Sequence, residues 1–176
     1  MADKPSSPIF GRLALIGIGL IGSSIARVAK RENLAGHISA SARTQDSLDK
    51  AIELGFADSV SLDQKAAVKD ADMVIICAPV GAYEEIIKTI APALKPGAIV
   101  SDVGSVKQAV VRDLGPHIPE GVHLIPAHPV AGTEHSGPEA GFPELFEDRW
   151  CILTPPPGTD QKSVEAVKSF WQAAGS

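Results

Sequence analysis

Short apolar runs alternate with helical stripes along the whole chain, and this alternation constrains the fold more than any other feature. "RLALIG" at 12–17 is almost wholly apolar, as a strand covered on both faces is. Ile21, Ile25, Val28 and Ala29 then recur at helical spacing, and Lys30, Arg31 and Glu32 close that segment with charge. "HISASA" at 37–42 predicts a second strand. Thr44 is placed to cap a helix in which Leu48, Ala51 and Ile52 share a face, with Gly55 ending it. A weak strand near Ser59 and a short helix over 64–68 lead to "DMVIICAPV", the plainest strand after the first. Tyr83, Ile86, Ile87 and Ile90 form the next stripe, which Pro92 stops before a turn at Pro96 and Gly97. "AIVSDV" reads as a strand, "SVKQAVVRDLG" as a helix, and "VHLIPA" and "WCILTP" as strands; Val164, Val167, Phe170 and Trp171 predict a last helix. Such alternation builds βαβ units with right-handed crossovers. The longest loop, 126–148, is rich in Gly, Pro and Glu, and loops of that length are often functional.

Gly17, Gly19 and Gly22 spell G-x-G-x-x-G where the first strand hands over to the first helix. In that context the first glycine permits a tight turn, the second lets backbone approach a pyrophosphate, and the third lets helix and strand pack closely. Leu20 and Ile21 open the helix, so their N–H groups and the positive helix end supply anion binding without a lysine. Together these features predict an α/β, Rossmann-type doubly wound fold: a mostly parallel sheet with helices on both faces. The rival reading is a glycine-rich corner that holds nothing. About 20 residues past the motif, where an NAD site carries an acid for the adenosine ribose, stands Ala42. Ser41, Arg43 and Thr44 surround it, with no carboxylate to repel a 2′-phosphate and one guanidinium to hold it, so NADP is expected over NAD. Against this, Arg43 and Thr44 also fit a solvated loop and a plain helix cap.

At 176 residues the chain suits one domain. Its net charge of −5 is spread along the sequence with no basic run, which argues against a nucleic-acid partner. Apolar stretches fall short of the ~18 residues that span a bilayer, and "MADKPSSPIFGR" has no secretory core, so no membrane and a cytoplasmic home are expected. Residues 1–11 read as a disordered leader, 12–160 as the dinucleotide-binding domain and 161–176 as the start of a linking helix. Cys77 and Cys151 have no paired spacing and read as reduced, buried thiols; core packing likewise explains Trp150.

"GIGLIGSS", "DVGSVK" and "HPVAGTEHSG", in this order and spacing, closely resemble the prephenate and arogenate (cyclohexadienyl) dehydrogenase family of tyrosine biosynthesis, over about Arg12 to Pro155. The resemblance implies a small-molecule substrate whose ring carbinol is oxidised. Hydride passes to NAD(P), and the ring loses carbon dioxide and becomes aromatic, so no metal is expected. By resemblance His128 is the catalytic base and Ser105 orients the reacting hydroxyl. Thr133 and Glu134 join His128 and Ser105 on the substrate side, and Ala78, Pro79 and Val80 wall the nicotinamide ribose. An imidazole of near-neutral pKa suits the base.

Each assignment has a rival reading. Ser105 with Gln108 three residues on spells a capping box, which would occupy its hydroxyl. Lys107 fits either a carboxylate ligand or an exposed surface, His135 either substrate or surface, and His37, His117 and His123 lack comparable surroundings. The family also carries a helical second domain that forms the dimer and supplies an arginine for the substrate carboxylate. The sequence stops at Ser176, so coenzyme binding with little turnover is expected of this chain, and a homodimer only where that domain is present. A non-catalytic dinucleotide-binding module and a related hydroxy-acid dehydrogenase are the alternatives.

Overall fold

The computed structural model describes residues 7–176. The expected leader lies partly outside the described residues, over 1–6, and the chain is already a strand at Phe10, two residues before the predicted start. In chain order the elements are β1 (Phe10–Ile16), α1 (Leu20–Arg31), β2 (Ala35–Ser41), α2 (Gln45–Glu53), β3 (Ser59–Ser61), α3 (Gln64–Val68) and β4 (Met73–Ile76). There follow α4 (Tyr83–Ile90), β5 (Ile99–Asp102), α5 (Lys107–Leu114), β6 (His123–Leu124), β7 (Ala127–Pro129), β8 (Cys151–Leu153) and α6 (Gln161–Ala173).

Six strands form one sheet in the order β3-β2-β1-β4-β5-β6, with every pairing parallel. This is the doubly wound Rossmann order, whose direction of winding reverses between β1 and β4. Period-two alternation in β1 divides the core. Leu13 and Leu15 face one layer with Ile25, Ile38, Phe170 and Trp171. Ala14 and Ile16 face the other with Val74, Ile87 and Val110. Both faces of "RLALIG" are therefore dry, as its continuous apolar character requires.

The predicted last strand does not join this sheet. β7 and β8 form a separate antiparallel ribbon, pairing Ala127 with Leu153, His128 with Ile152 and Pro129 with Cys151. On a ribbon packed by one face, alternate residues point outward. Trp150 is 82% exposed, so the expectation that it packs in the core fails, whereas Cys151 is half-buried. Helix α6 packs on the β1 layer: Phe170 lies 6.0 Å from Phe10, and Trp171 meets Phe146 edge-on at 5.3 Å. Among the described residues no helix is long and apolar enough to cross a membrane.

Candidate functional site

The three glycines of the first turn carry different loads. Gly17 adopts φ +97°, and a Cβ there would lie 2.8 Å from the Cys77 carbonyl oxygen. A Cβ at Gly22 would overlap the Gly17 carbonyl oxygen, so only glycine lets α1 sit this close to β1. Gly19 differs: a Cβ there would meet nothing, because the turn faces open space. Gly19 is also the N-cap of α1, with no side-chain cap and no acid in the first helical turn. The first N–H groups of a helix have no intrahelical acceptor, so those of Leu20 and Ile21 are available to an anion. These features fit a diphosphate. Ser23 and Ser24 brace the turn from behind, their hydroxyls donating to the carbonyls of Gly19 and Leu20 at 2.7 Å.

A cleft of about 800 Å³ opens at the carboxyl ends of β1, β2 and β4, at the switch point. Its lining includes Gly17, Gly19, Ser41, Arg43, Thr44, Ala78 and Pro79, all singled out from sequence. Thr44 caps α2, its hydroxyl accepting the Ser47 N–H at 3.3 Å. Arg43 is exposed and makes no ion pair or side-chain hydrogen bond among the described residues. Val80 does not line the cleft; it packs beside Gly104, where a Cβ would fall 2.8 Å from its Cγ2.

A second cleft, of about 490 Å³, is lined by His128, Thr133, Phe142 and Arg149 among others. Neither Ser105 nor Glu134 lines it, and no hydrogen bond joins Ser105 to His128 among the described residues. Glu134 is exposed and stands 3.5 Å from His135. The long loop links the clefts, since Ser136 to Pro138 line the first and His128 to Thr133 the second. It is pinned to α1 where the Phe142 N–H donates to the Ser24 hydroxyl at 3.1 Å and Arg31 holds Glu144 at 2.7 Å and Glu147 at 2.8 Å.

The capping box read at Ser105 and Gln108 is not formed. Helix α5 has Val106 as its N-cap, with no side-chain cap bond, so the Ser105–Gln108 spacing is one residue out of register and the Ser105 side chain is exposed. The turn is braced instead by Asp102, a residue not singled out from sequence. Asp102 is fully buried and accepts the Gly104 N–H at 2.8 Å, the Ala127 N–H at 3.2 Å and the Tyr83 hydroxyl at 3.3 Å. Lys107 is neither exposed nor a free ligand: its ammonium lies 2.6 Å from both Asp102 oxygens and from the Ala127 carbonyl. Burial pushes the Asp102 carboxyl up and the Lys107 ammonium down from their ordinary values. An acid closing an apolar strand, with a lysine five residues on, was the available signal.

Residues 25–176 match the family model described as prephenate dehydrogenase, nucleotide-binding domain. The chain belongs to that family. It is 40% identical to the cyclohexadienyl dehydrogenase of Zymomonas mobilis over 167 residues, which cover 95% of this chain and 57% of the relative. It is 33% identical to the prephenate dehydrogenase of Bacillus subtilis, over 90% of this chain and 43% of the relative. Among solved structures, Aquifex aeolicus prephenate dehydrogenase, in complex with hydroxyphenyl propionate and NAD+, superposes with a TM-score of 0.85 at 32% identity, over 93% of this chain and 57% of that one. Synechocystis arogenate dehydrogenase gives 0.86 at 28% identity, over the same shares of the two chains. This member of the family thus spans about half the length of the curated relatives it matches.

Proposed function

We propose that this chain is the nucleotide-binding portion of an NADP-preferring dehydrogenase that oxidises and decarboxylates prephenate or arogenate. One observation carries the reading: a glycine turn with an open face at Gly19 lies in a chain similar almost throughout to prephenate and arogenate dehydrogenases. When bound, the nicotinamide ring supplies the hydride acceptor. The turn amides hold the diphosphate. Arg43, uncommitted at the rim of the cleft and with Ala42 in place of an acid, holds the 2′-phosphate.

His128 takes the proton of the ring hydroxyl as the carbinol C–H bond breaks, its hydrogen leaving with the electron pair, and the ring carboxylate departs as carbon dioxide. Its imidazole makes no hydrogen bond to the protein among the described residues, which leaves it open to substrate. The Ser105 hydroxyl, free of the capping role, orients the reacting oxygen; Thr133 and Glu134 contact the remainder of the substrate. Two free thiols, Cys77 and Cys151, fit a reducing, cytoplasmic setting. A homodimer is proposed only for a chain that also carries the helical second domain.

Titration of this chain with NAD and NADP tests the coenzyme half: NADP binds more tightly, and Arg43→Ala weakens NADP by about tenfold, or ~1.4 kcal/mol, while sparing NAD. Failure of both coenzymes to bind folded protein refutes the reading. The chemistry is tested by coenzyme reduction with prephenate and with arogenate. His128→Ala should abolish turnover while leaving coenzyme affinity intact.

A further inference from the structure

We infer that the buried Asp102–Lys107 pair is a positioning device: it holds the Ser105 turn and the His128 strand at a fixed separation. The inference rests on the reading of Ser105 and His128 given above; the contacts behind it do not. Strand β6 runs beside β5 with the His123 N–H on the Ala98 carbonyl and the Ile125 N–H on the Val100 carbonyl, each at 2.9 Å. Continued by two residues, that ladder would bring the Ala127 N–H to the main-chain carbonyl of Asp102. Instead the N–H goes to the Asp102 side chain at 3.2 Å. One rung earlier the Ser101 hydroxyl donates to the Ile125 carbonyl at 2.7 Å. Side chains of β5 thus replace the rungs at the point where Pro126, which has no N–H, lets the chain leave the parallel sheet. Freed there, residues 127–129 turn to pair antiparallel with β8, and His128 comes to the second cleft.

The same carboxylate governs the other residue. It accepts the Gly104 N–H at 2.8 Å, immediately before Ser105. A Cβ at position 104 would lie 3.1 Å from that carboxylate oxygen, so the turn closes tightly over the acid. Lys107 completes the clamp by donating to the Ala127 carbonyl at 2.6 Å, so both main-chain groups of the residue before His128 are held by the pair. A buried ion pair is often no more stabilising than apolar packing in its place, whereas its hydrogen bonds have defined directions. What this pair contributes beyond packing is the direction of the main chain on either side of the site.

The test compares Lys107→Met, Lys107→Arg and Asp102→Asn with the parent chain. Amide hydrogen exchange reads the clamp directly. Protection at Gly104 and Ala127 should fall at least tenfold in Lys107→Met and Asp102→Asn, while Ile125 and the β1 and β4 amides keep theirs. The His128 ring resonances, assigned with His128→Ala, should shift in both variants, and Lys107→Arg should restore most of each signal. Coenzyme affinity should stay within twofold of the parent. Turnover with prephenate or arogenate should lose kcat with the coenzyme KM unchanged. Uniform loss of protection across the core, or an unmoved His128 ring, overturns the inference. If Lys107→Met does not fold, the Asp102→Asn and Lys107→Arg measurements decide by the same criteria. A parent chain that binds neither coenzyme refutes the proposed function instead, because the exchange and ring readouts do not depend on coenzyme.

Discussion

Three glycines of one motif do three jobs, and only at the resolution of single residues are they separable. Gly22 is required by packing, because any Cβ collides with the Gly17 carbonyl, whereas Gly19 has free space on its open side. Gly22→Ala is therefore expected to cost about 1–3 kcal/mol in urea unfolding. Gly19→Ala should keep the parent's stability, since φ −68° suits alanine, and should weaken coenzyme binding by placing a methyl on the ligand's side of the turn. Equal effects of the two on stability would contradict this division. Period and spacing identify all three positions in the sequence. Which of them faces solvent depends on the neighbouring strand, because the atoms that confine Gly17 belong to Cys77 and Ala78, some 60 residues along.

Elements whose signals are local are legible in the sequence. Thr44 caps α2 as its spacing predicts, and Thr44→Ala is expected to lower stability by about 1 kcal/mol, read from the thermal midpoint. The same variant tests how far the cap also serves the cleft, since Thr44 lines it: coenzyme affinity should fall less than in Arg43→Ala. Helix α5 shows the opposite case. Ser105 and Gln108 spell its start one residue too early, and the helix begins at Lys107 because the Asp102 carboxylate takes the Gly104 N–H and reshapes the turn. The β7–β8 ribbon likewise reads in the sequence as two ordinary strands. Nothing in "VHLIPA" or "WCILTP" states that their pairing is antiparallel and off the sheet, since short apolar runs specify neither partner nor direction.

For the molecule as a whole, two part-buried ion pairs at the starts of strands contribute to the response to acid. Burial alone would raise the carboxyls of Asp58 and Asp72. Lys30 and the Ile38 N–H outweigh it at Asp58, as Lys95 and the Arg12 N–H do at Asp72, so both are held below the ordinary 3.8. A carboxyl depressed in the folded state contributes its stability above the unfolded value and loses it as pH falls through the folded one. Asp102, held high, acts in the opposite sense and softens the fall. Urea midpoints should therefore drop on the acid side of about pH 4, and Asp72→Asn should flatten the drop. The alternation of apolar period, the glycine turn and the Thr44 cap were determined by sequence alone, because each depends on residues within a few positions of one another. Sheet order, the departure of the last ribbon, the docking of α6 and the Asp102–Lys107 clamp were decided only by tertiary structure. Each joins groups distant along the chain, whose pairing depends on where backbone hydrogen bonds remain to be made once the sheet has closed.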